Sequence, residues 1–438
     1  MKKIVLLVIG FVFFFCGLAC AGFDSFPVKF YSAGADGPSE ISVGDLNNDG
    51  SLDVVTANRG SDSVSILLGD GTGALQSALV YSMGSDGDDH RYPCGVELGY
   101  INGDNFLDLI VVNSGAAGDY PGDVASMLGN GDGTFQPPIF CSCGDKPSAV
   151  KLGDFNQDNK MDVVTTNYRS HDLTILLGNG DGTLQAAVSY ATNGPCSSLD
   201  IADVDKNGSL DIVVQLFYSS VVVVFPGNGD GTLQEGISHL TAEYPNQVKF
   251  GDLNADGNED IVTTHSLSDM IAVLMGNGDG TFLSPTTYEA GNYPEALALG
   301  DINNDGNLDI VVEDTCLSED PEADAVAVLL GNGDGSFNHP LQYGVGHYPT
   351  SVVLGDLDND AELDIFATNY NKGTVAVLTN LTIEKAMLKG SITNADTGKG
   401  IPDAMTNGLS AALTPSHNSA LAAPTLTATT SGISVSLS

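Results

Sequence analysis

A nine-residue acidic segment recurs seven times along this chain, and this repeat restricts the possible folds more than any other feature of the sequence. The first copy covers residues 45–53, and the later copies begin at Tyr100, Asp154, Asp203, Asp252, Asp301 and Asp356. A second segment, of the type Gly-Asn-Gly-Asp-Gly, recurs six times, beginning at Gly69, Gly129, Gly178, Gly227, Gly276 and Gly331. Where no insertion intervenes the period is 49 residues, and a period of roughly 20–50 residues indicates a repeat architecture.

Each repeat contains four short runs with the character of β-strands. In the third repeat these runs begin at Pro147, Met161, Leu173 and Leu184, and clusters of Gly, Asn and Asp separate them. Alternating or β-branched runs between turn residues favour antiparallel strands, and residues 25–381 show no sustained helical period. Seven four-stranded antiparallel units predict an all-β fold, a seven-bladed β-propeller.

The two ends of the repeat region predict how the ring closes. No seventh glycine-rich segment follows Asn380, so the last repeat lacks its fourth strand. Residues 26–31, ahead of Pro38, have the sequence character of that strand. We therefore expect the N-terminal strand to close the last blade, so that the first and last blades are joined without a covalent link.

The acidic segment has the composition of a calcium-binding loop. Calcium takes about six to eight oxygen ligands, and positions 1, 3, 5 and 9 of the segment carry carboxylate or amide oxygens around position 6. Position 6 favours glycine because the chain turns there with a positive φ. The predicted metal ligands are Asp45, Asn47, Asp49, Asp53, Asn102, Asp104, Asp108, Asp154, Asn156, Asp158, Asp162, Asp203, Asp205, Asn207, Asp211, Asp252, Asn254, Asp256, Asp260, Asp301, Asn303, Asp305, Asp309, Asp356, Asp358, Asp360 and Asp364.

Three loops depart from this pattern. Asn159 replaces glycine at position 6 of the third loop, and asparagine tolerates the left-handed region. Ala361 does so in the seventh loop, where strain is expected to weaken the site. The second loop has Tyr100 at position 1 and Asn105 at position 6, so its calcium site is the least certain of the seven.

Alternative assignments of the two motifs fit the sequence less well. An EF-hand needs Glu at position 12 and flanking helices, but that position is Thr56 in the first loop and Thr263 in the fifth. Nonapeptide β-rolls repeat every nine residues rather than every 49. A single acidic loop could be an Asx-turn, but seven in register favour a metal. The glycine-rich segment is interpreted as a hairpin turn.

The two motifs together resemble the FG-GAP/VCBS repeat family, and the repeat region is similar to the propeller of integrin α chains. The resemblance covers roughly residues 26–381. It implies a seven-bladed propeller with calcium in the acidic loops. It does not imply one biological role, because a fold of this kind carries unrelated functions.

The charge of the chain limits its partners. The formal net charge is −41, with 56 acidic and 15 basic residues. Nucleic acids and anionic membranes require clustered Lys and Arg, so neither is an expected partner. Because 42% of the residues are apolar, the chain does not have the composition of an acidic disordered protein.

The N-terminus has the pattern of a secretory signal. Met1-Lys2-Lys3 precede a short apolar run and a small-residue site that ends at Ala21, which predicts a signal peptide over residues 1–21. Residues 18–20 also resemble a lipoprotein box, so Cys20 is an alternative site of lipid attachment. The run is too short to cross a bilayer, and no other segment is suited to do so. We expect a secreted or cell-surface protein, with a lipid-anchored lipoprotein as the alternative.

The predicted propeller spans residues 22–384, and residues 385–438 are expected to form a linker, a tail or a truncated β-sandwich domain. Residues 390–404 resemble the opening strands of a carboxypeptidase-regulatory-like sandwich, but the segment is too short to complete one. Five cysteines remain after cleavage, Cys94, Cys141, Cys143, Cys196 and Cys316. Complete pairing within one chain is impossible, and the pairing stays open.

The connections between strands predict which face carries function. Antiparallel order places the acidic loops and the glycine-rich hairpins on one face, and the insertions near residues 85–91, 113–123 and 313–324 on the other. Insertions concentrate where a scaffold carries function. On that second face, Tyr-Pro pairs stand at four equivalent positions ahead of the first strand of a blade. Tyr92, Tyr244, Tyr293 and Tyr348 of these pairs are the predicted ligand-binding residues, with packing between blades as the alternative.

These features favour a binding module over an enzyme. The sequence contains no His-Glu-x-x-His, Gly-x-Ser-x-Gly or phosphate-binding glycine motif. We expect a calcium-binding adhesion or recognition module for a glycan or protein ligand. The alternative is a calcium-dependent polysaccharide lyase or another propeller enzyme, with His90 and Arg91 as its first candidate residues.

Overall fold

The structure, a computed structural model, describes residues 27–84, 91–115, 122–315 and 324–380, with the backbone of three further strands near the C-terminus. The chain divides into two units, Pro27–Asn380 and a unit made of Met1–Phe26 with Leu381–Ser438. The predicted signal peptide, Cys20, His90, Cys316 and most of each insertion lie outside the described residues.

The first unit is a β-propeller of seven four-stranded antiparallel blades, as the repeat predicts. Strand β1 (Val28–Ser32) precedes blade one, and blades one to three contain β2 (Pro38–Gly44), β3 (Asp53–Asn58), β4 (Ser63–Leu67), β5 (Leu79–Ser82); β6 (Pro93–Gly99), β7 (Asp108–Asn113), β8 (Asp123–Met127), β9 (Ile139–Ser142); β10 (Pro147–Gly153), β11 (Asp162–Asn167), β12 (Asp172–Leu176) and β13 (Val188–Ala191). Blades four to seven contain β14 (Leu199–Ala202), β15 (Asp211–Gln215), β16 (Val221–Phe225), β17 (Ile237–Leu240); β18 (Val248–Gly251), β19 (Asp260–His265), β20 (Met270–Leu274), β21 (Thr286–Glu289); β22 (Leu297–Gly300), β23 (Asp309–Asp314), β24 (Asp324–Leu329), β25 (Leu341–Gly346); β26 (Pro349–Gly355), β27 (Asp364–Asn369) and β28 (Thr374–Leu378).

The ring closes as predicted, through the N-terminal strand. Blade seven has the order β26-β27-β28-β1, and β1 pairs with β28 from Val28↔Leu378 to Ser32↔Thr374. The Lys29 Nζ donates to the Gly73 carbonyl of blade one at 2.8 Å, which links the closing strand to the next blade. Closure leaves no free edge between the first and last blades.

The core lies between neighbouring blades. Alternate side chains of a strand point to opposite faces of its sheet. All six residues of β3 are buried, because neighbouring blades cover both faces. Val54 packs with Phe366 of blade seven, whereas Val55 packs with Leu109 of blade two. The second strand of every repeat is buried along its whole length, and its apolar and β-branched residues are flanked by buried polar residues at both ends, as in Asp53–Asn58.

The glycine-rich hairpins also join adjacent blades. In three blades, an aromatic residue just after the glycine-rich hairpin packs edge to face on an aromatic ring of the preceding blade. These ring pairs are Phe135 on Tyr81 at 6.1 Å, Phe282 on His239 at 5.1 Å and Phe337 on Tyr288 at 5.4 Å between centroids. The Gly133 N–H donates to the carbonyl of Leu46 in the preceding acidic loop at 3.2 Å. The two motifs therefore meet across each such boundary.

Smaller elements complete the described structure. A single 3₁₀ turn, Tyr370–Lys372, connects β27 to β28. In the second unit β29 (Thr393–Asn394), β30 (Thr425–Thr429) and β31 (Gly432–Ser436) form a three-stranded sheet. The predicted role of residues 385–438, like the predicted domain boundaries, stays a prediction. Within the described part of the chain, no helix has the length and apolar character needed to span a membrane.

Candidate metal loops and the cavity on the opposite face

Each acidic loop connects the first strand of a blade to the second and is shaped by its own carboxylates. In loop one, the Asp45 carboxylate accepts hydrogen bonds from the N–H groups of Asp49 at 3.1 Å and Gly50 at 2.9 Å. The Asp49 carboxylate accepts in turn from the Ser51 N–H at 2.8 Å. Asn47 lies between them, accepting from the Asp49 N–H and donating to the Asp49 carboxylate, both at 2.9 Å. Oxygens of positions 1 and 3 thus converge on the Asp49 N–H, and the Asn47 amide nitrogen faces the Asp49 carboxylate.

The aspartate at position 9 has an additional structural role. Asp53 is fully buried, and its two oxygens accept from the N–H groups of Leu46 at 2.9 Å and Gly69 at 2.7 Å. This clamp ties the acidic loop to the glycine-rich hairpin of the same blade. Equivalent clamps are formed by Asp108, Asp162, Asp211, Asp260 and Asp309. In blade seven, which has no glycine-rich hairpin, Asp364 accepts from the N–H groups of Leu357 and Asn380.

Burial raises the pKa of these clamp carboxyls. For Asp53 and Asp211 burial raises the pKa to about 6, although the two backbone N–H groups oppose the shift. For Asp364 burial raises the pKa to about 7. A carboxylate buried beside two or three others is costly to ionise without a cation.

Two loops bring three carboxylates close enough to hold one metal ion. Oxygens of Asp203, Asp205 and Asp211 lie within 4.8 Å of one another, and so do those of Asp356, Asp358 and Asp364. These loops have Asp at position 3 where loop one has Asn.

The oxygen atoms of the seventh loop also suit a bound cation. The Asp358 Oδ1 is buried without a hydrogen-bond partner among the described residues. Burial and the neighbouring Asp360 and Asp356 raise the pKa of Asp358. An all-oxygen donor set with an unpartnered buried oxygen suits a hard cation.

The remaining predicted ligands occupy equivalent loop positions, with one exception. Loop two lacks a carboxylate at position 1, where Tyr100 is 52% exposed, although Asn102 and Asp104 keep the same hydrogen bonds as in loop one. The Ala361 N–H still donates to the Asp356 carboxylate at 2.8 Å, so the loss of glycine leaves the loop geometry intact. The backbone there has a φ of 69°.

Position 4 of the acidic loop is a feature that the sequence did not reveal. It has a positive φ in all seven loops, as position 6 does in most of them. The residues at position 4 are Asn48, Gly103, Gln157, Lys206, Ala255, Asn304 and Asn359. Six of the seven are not glycine, so composition carries no signal for this conformation.

The glycine-rich hairpins are held by side chains that cap their own turns. The Asp132 carboxylate accepts from both the N–H and the hydroxyl of Thr134, at 3.0 and 2.5 Å. These bonds lower the pKa of Asp132. The contacts agree with the interpretation of this motif as a turn.

On the opposite face, called here the connection face, a cavity of about 630 Å³ opens at the centre of the ring. It is lined by Tyr168, Tyr348 and Tyr370, by the basic residues Arg59 and Lys146, and by Glu295. These residues lie in connections between second and third strands or at the start of first strands. The cavity shares Ser148, Ser197, Glu295 and Thr350 with a narrower channel cavity of about 150 Å³.

The structure separates the four predicted tyrosines. All have a positive φ, of 51° at Tyr92, 55° at Tyr244, 49° at Tyr293 and 58° at Tyr348. Of these four tyrosines, Tyr348 alone is among the described residues that line the large cavity. Its companions Tyr168 and Tyr370 were not selected from the sequence. Each directly follows the asparagine that ends a second strand, which is the signal that could have found them.

The unusual backbone of these tyrosines is fixed by contacts between blades. The N–H groups of Tyr92 and Tyr348 donate to the carboxylates of Asp62 and Asp324 in the preceding blades, at 2.9 and 2.7 Å. Tyr293 is held in the same way by Asp269 at 2.9 Å. A non-glycine residue at positive φ persists where neighbours determine it in this manner.

The channel beneath the cavity carries charges of both signs. Lys151 pairs with Glu97 at 3.0 Å. Burial raises the pKa of Glu40 to about 7, although Lys249 and Lys151 oppose the shift. Glu313 on β23 is fully buried, and neither carboxylate oxygen has a hydrogen-bond partner among the described residues. Burial raises its pKa well above the usual value.

Arg91 and the cysteines are also singled out by the sequence. Arg91 is buried, forms an ion pair with Asp123 and lies 3.7 Å from the centroid of the Phe140 ring. Its guanidinium therefore packs against side chains of blade two. The described cysteines Cys94, Cys141, Cys143 and Cys196 are all free thiols.

A seven-bladed ring with repeated oxygen-rich loops on one face defines a propeller whose loops could hold cations. Residues 45–111, 100–165, 154–214 and 252–312 match the family described as FG-GAP-like repeat, and together they cover more than half of the chain. The chain belongs to this family, as the two motifs predict. No curated protein sequence matches it significantly.

Solved structures with this fold include BBS1N in complex with ARL6DN, at 12% identity over 80% of this chain and 94% of that chain, with a TM-score of 0.55. The periplasmic gluconolactonase of Pseudomonas aeruginosa matches at 18% identity over 71% and 86%, with a TM-score of 0.52. Catalytically inactive virginiamycin B lyase from Staphylococcus aureus matches at 13% identity over 81% and 99%, with a TM-score of 0.51. At these identities the likeness concerns the fold alone.

Proposed function

We propose that this protein is a secreted or cell-surface recognition module, stabilised by calcium, that binds a glycan or protein ligand on the connection face. The cavity at the centre of that face carries the proposal, because three tyrosines and two basic side chains line it together. Cavities of several hundred Å³ with aromatic walls and a few polar groups are the usual form of ligand sites.

The acidic loops support a structural role for calcium. They lie on the face opposite the cavity and hold oxygens that repel one another when ionised. A cation there would neutralise the loop and hold its two strands together. For extracellular calcium modules at about 1 mM calcium, each site would contribute roughly 0.4–1.4 kcal/mol.

A binding role is favoured over catalysis by the surroundings of Arg91. Its guanidinium pairs with Asp123 and lies over a phenylalanine ring, so it is not free to contact a substrate. The connection face instead offers rings and charged groups at the rim of a cavity, which suits adhesion. The N-terminal signal pattern and the extracellular abundance of calcium agree with this role.

The proposal is tested with a matched pair of tyrosines. Tyr348 and Tyr244 are both 38% exposed and share the same backbone conformation, but only Tyr348 lines the described cavity. The mature protein is screened in 2 mM calcium against a glycan array and a panel of extracellular proteins. Tyr348→Ala is expected to weaken binding of the best ligand at least about tenfold. Tyr244→Ala should change it less than about twofold. Equal binding by both variants would contradict the proposal, and so would a screen with no specific ligand.

A further inference from the structure

The cavity on the connection face contains two basic side chains that no described carboxylate neutralises. Arg59 and Lys146 both line it. Neither forms an ion pair or a side-chain hydrogen bond with any described residue, whereas Arg91, Lys151 and Arg169 are paired with carboxylates. In a chain with a net charge of −41, two unpaired cations in one cavity form a local site for an anion.

Aromatic rings stand beside these cations. Tyr348 and Tyr370 lie edge to face with their centroids 6.2 Å apart, and Tyr168 lines the same cavity. A tyrosine offers an apolar ring face together with a hydroxyl, which suits a ligand with one apolar face and many hydroxyl groups. A pyranose ring has this character.

We propose that the cavity binds an acidic saccharide, taking a uronic acid carboxylate on Arg59 and Lys146 and placing its sugar ring against Tyr348 and Tyr370. The inference rests on the proposed recognition function and names its ligand class. Guanidinium and ammonium groups bind carboxylates through charge-assisted hydrogen bonds, which are about twice as strong as neutral ones.

One acidic residue shares the cavity. Glu295 lines both the mouth and the channel below it. Burial raises its pKa, and it is the one carboxyl group in the described lining of the cavity, against the two basic side chains. The hydroxyl groups of Ser39, Ser148 and Thr350 complete a polar floor for sugar hydroxyls.

The experiment uses the full mature chain in 2 mM calcium and oligosaccharides that differ only in charge. Oligomers of galacturonate, glucuronate-containing hyaluronan and alginate are compared with the same oligomers after reduction of their carboxyl groups to neutral alcohols. Titration calorimetry should show at least one acidic oligomer binding about tenfold or more tightly than its reduced form. Raising the salt concentration should weaken that binding.

Variants assign the effect to residues. The double substitution Arg59→Gln with Lys146→Gln should abolish the preference for the acidic form, while Tyr348→Ala should weaken both forms. The control is Lys372→Ala, because Lys372 is exposed on the same face and lines a different cavity. Thermal unfolding checks that each variant is folded, which is expected because the Arg59 and Lys146 side chains have no hydrogen-bond partners to lose.

The outcomes separate this inference from the proposed function. If acidic and reduced oligomers bind equally, or if the double variant keeps the preference, the inference is wrong while glycan recognition stands. If no oligomer binds but a protein ligand depends on Tyr348, the inference is again wrong and the proposed function stands. If nothing binds through this face, both are wrong.

Discussion

The aspartates of one loop act in two different ways, and a single chemical change can separate them. Asp211 at position 9 is buried, and its two oxygens accept from the N–H groups of Val204 at 2.9 Å and Gly227 at 2.8 Å. Asp205 at position 3 is partly exposed and accepts hydrogen bonds from the neighbouring Asn207. The first is a structural clamp, and the second is suited to hold a cation.

We expect Asp211→Asn to lower the free energy of unfolding by about 1–3 kcal/mol even in excess EDTA. Asparagine has one acceptor oxygen, so one buried N–H loses its partner. Asp205→Asn is the matched control and should cost less than about 0.5 kcal/mol in EDTA, because Asn occupies this position in other loops. Urea unfolding measures both values. Equal losses in the two variants would show that the clamp has no special role.

Backbone strain predicts stabilising changes at two alanines. Ala361 has a φ of 69° and Ala255 a φ of 56°. An L-residue in this region costs roughly 1–2 kcal/mol that glycine avoids. Ala361→Gly and Ala255→Gly should therefore each raise the free energy of unfolding by about 1 kcal/mol, after the entropy lost by glycine is included.

The control for these substitutions is Ala186→Gly. Ala186 is exposed and does not have a positive φ. Glycine there should lower the free energy of unfolding by about 0.5–1 kcal/mol. A loss of stability at all three positions would mean that the loop backbone is not strained as described.

At the scale of elements, the closing strand β1 determines whether the ring is complete. It is the only partner of β28 on that side, with five residues of each strand in register. Without it, the Thr374–Leu378 edge would be open, and open edges promote association between chains.

Deletion of Val28–Ser32 should lower the melting temperature and produce concentration-dependent association, seen by size-exclusion chromatography with light scattering. A synthetic peptide of residues 27–33 added in trans should reverse both effects, because it can pair with β28. A peptide of the same composition in scrambled order serves as the control. A deletion variant that stays monomeric with an unchanged melting temperature would contradict the closure described here.

Sequence reasoning located these elements because short apolar and β-branched runs, such as Val54-Val55-Thr56 in β3, lie between clusters of turn residues. It also placed the closing strand, since the missing hairpin after Asn380 leaves a partner unassigned. It could not select Tyr168 and Tyr370. Which of seven equivalent positions reach the central cavity depends on how the ring brings distant connections together. The clamp of Asp53 was likewise hidden, because its partners are backbone N–H groups.

At the scale of the whole molecule, buried carboxyl groups make stability depend on pH. Burial raises the pKa of Glu40 from 4.5 to about 7, and raises that of Glu313 well above its usual value. A carboxyl whose pKa is raised on folding stabilises the protein below its unfolded pKa, and this contribution is lost as pH rises through the folded pKa. The metal-free protein should therefore become less stable between about pH 4.5 and 7.

Glu40 accounts for a change on the order of 2 kcal/mol in this range, given about 1.4 kcal/mol per pKa unit and some access of water to the channel. The double substitution Glu40→Gln with Glu313→Gln should reduce the dependence of the melting temperature on pH, measured in EDTA between pH 5 and pH 8, and the remaining slope is expected from the clamp aspartates, whose pKa values are also raised. Glu235→Gln, at an exposed site, should leave the slope unchanged. An unaltered slope in the double variant would place the pH dependence elsewhere.

Calcium should act on the molecule as a whole, because the loops that could hold it are distributed around the ring. Several sites at roughly 0.4–1.4 kcal/mol each would add several kcal/mol, which is comparable with the net stability of a typical protein. We expect the melting temperature of the mature protein to rise by at least about 5 °C in a saturable way between excess EDTA and 2 mM calcium.

Magnesium at the same concentration should have a smaller effect, because it demands shorter and more regular coordination. Asp203→Ala combined with Asp356→Ala should remove part of the calcium shift, measured from the melting temperature of the same variant in EDTA because both carboxylates also accept backbone hydrogen bonds in the metal-free loops. No shift in the unaltered protein would mean that the acidic loops are turns held by their own hydrogen bonds, and the calcium assignment would have to be withdrawn.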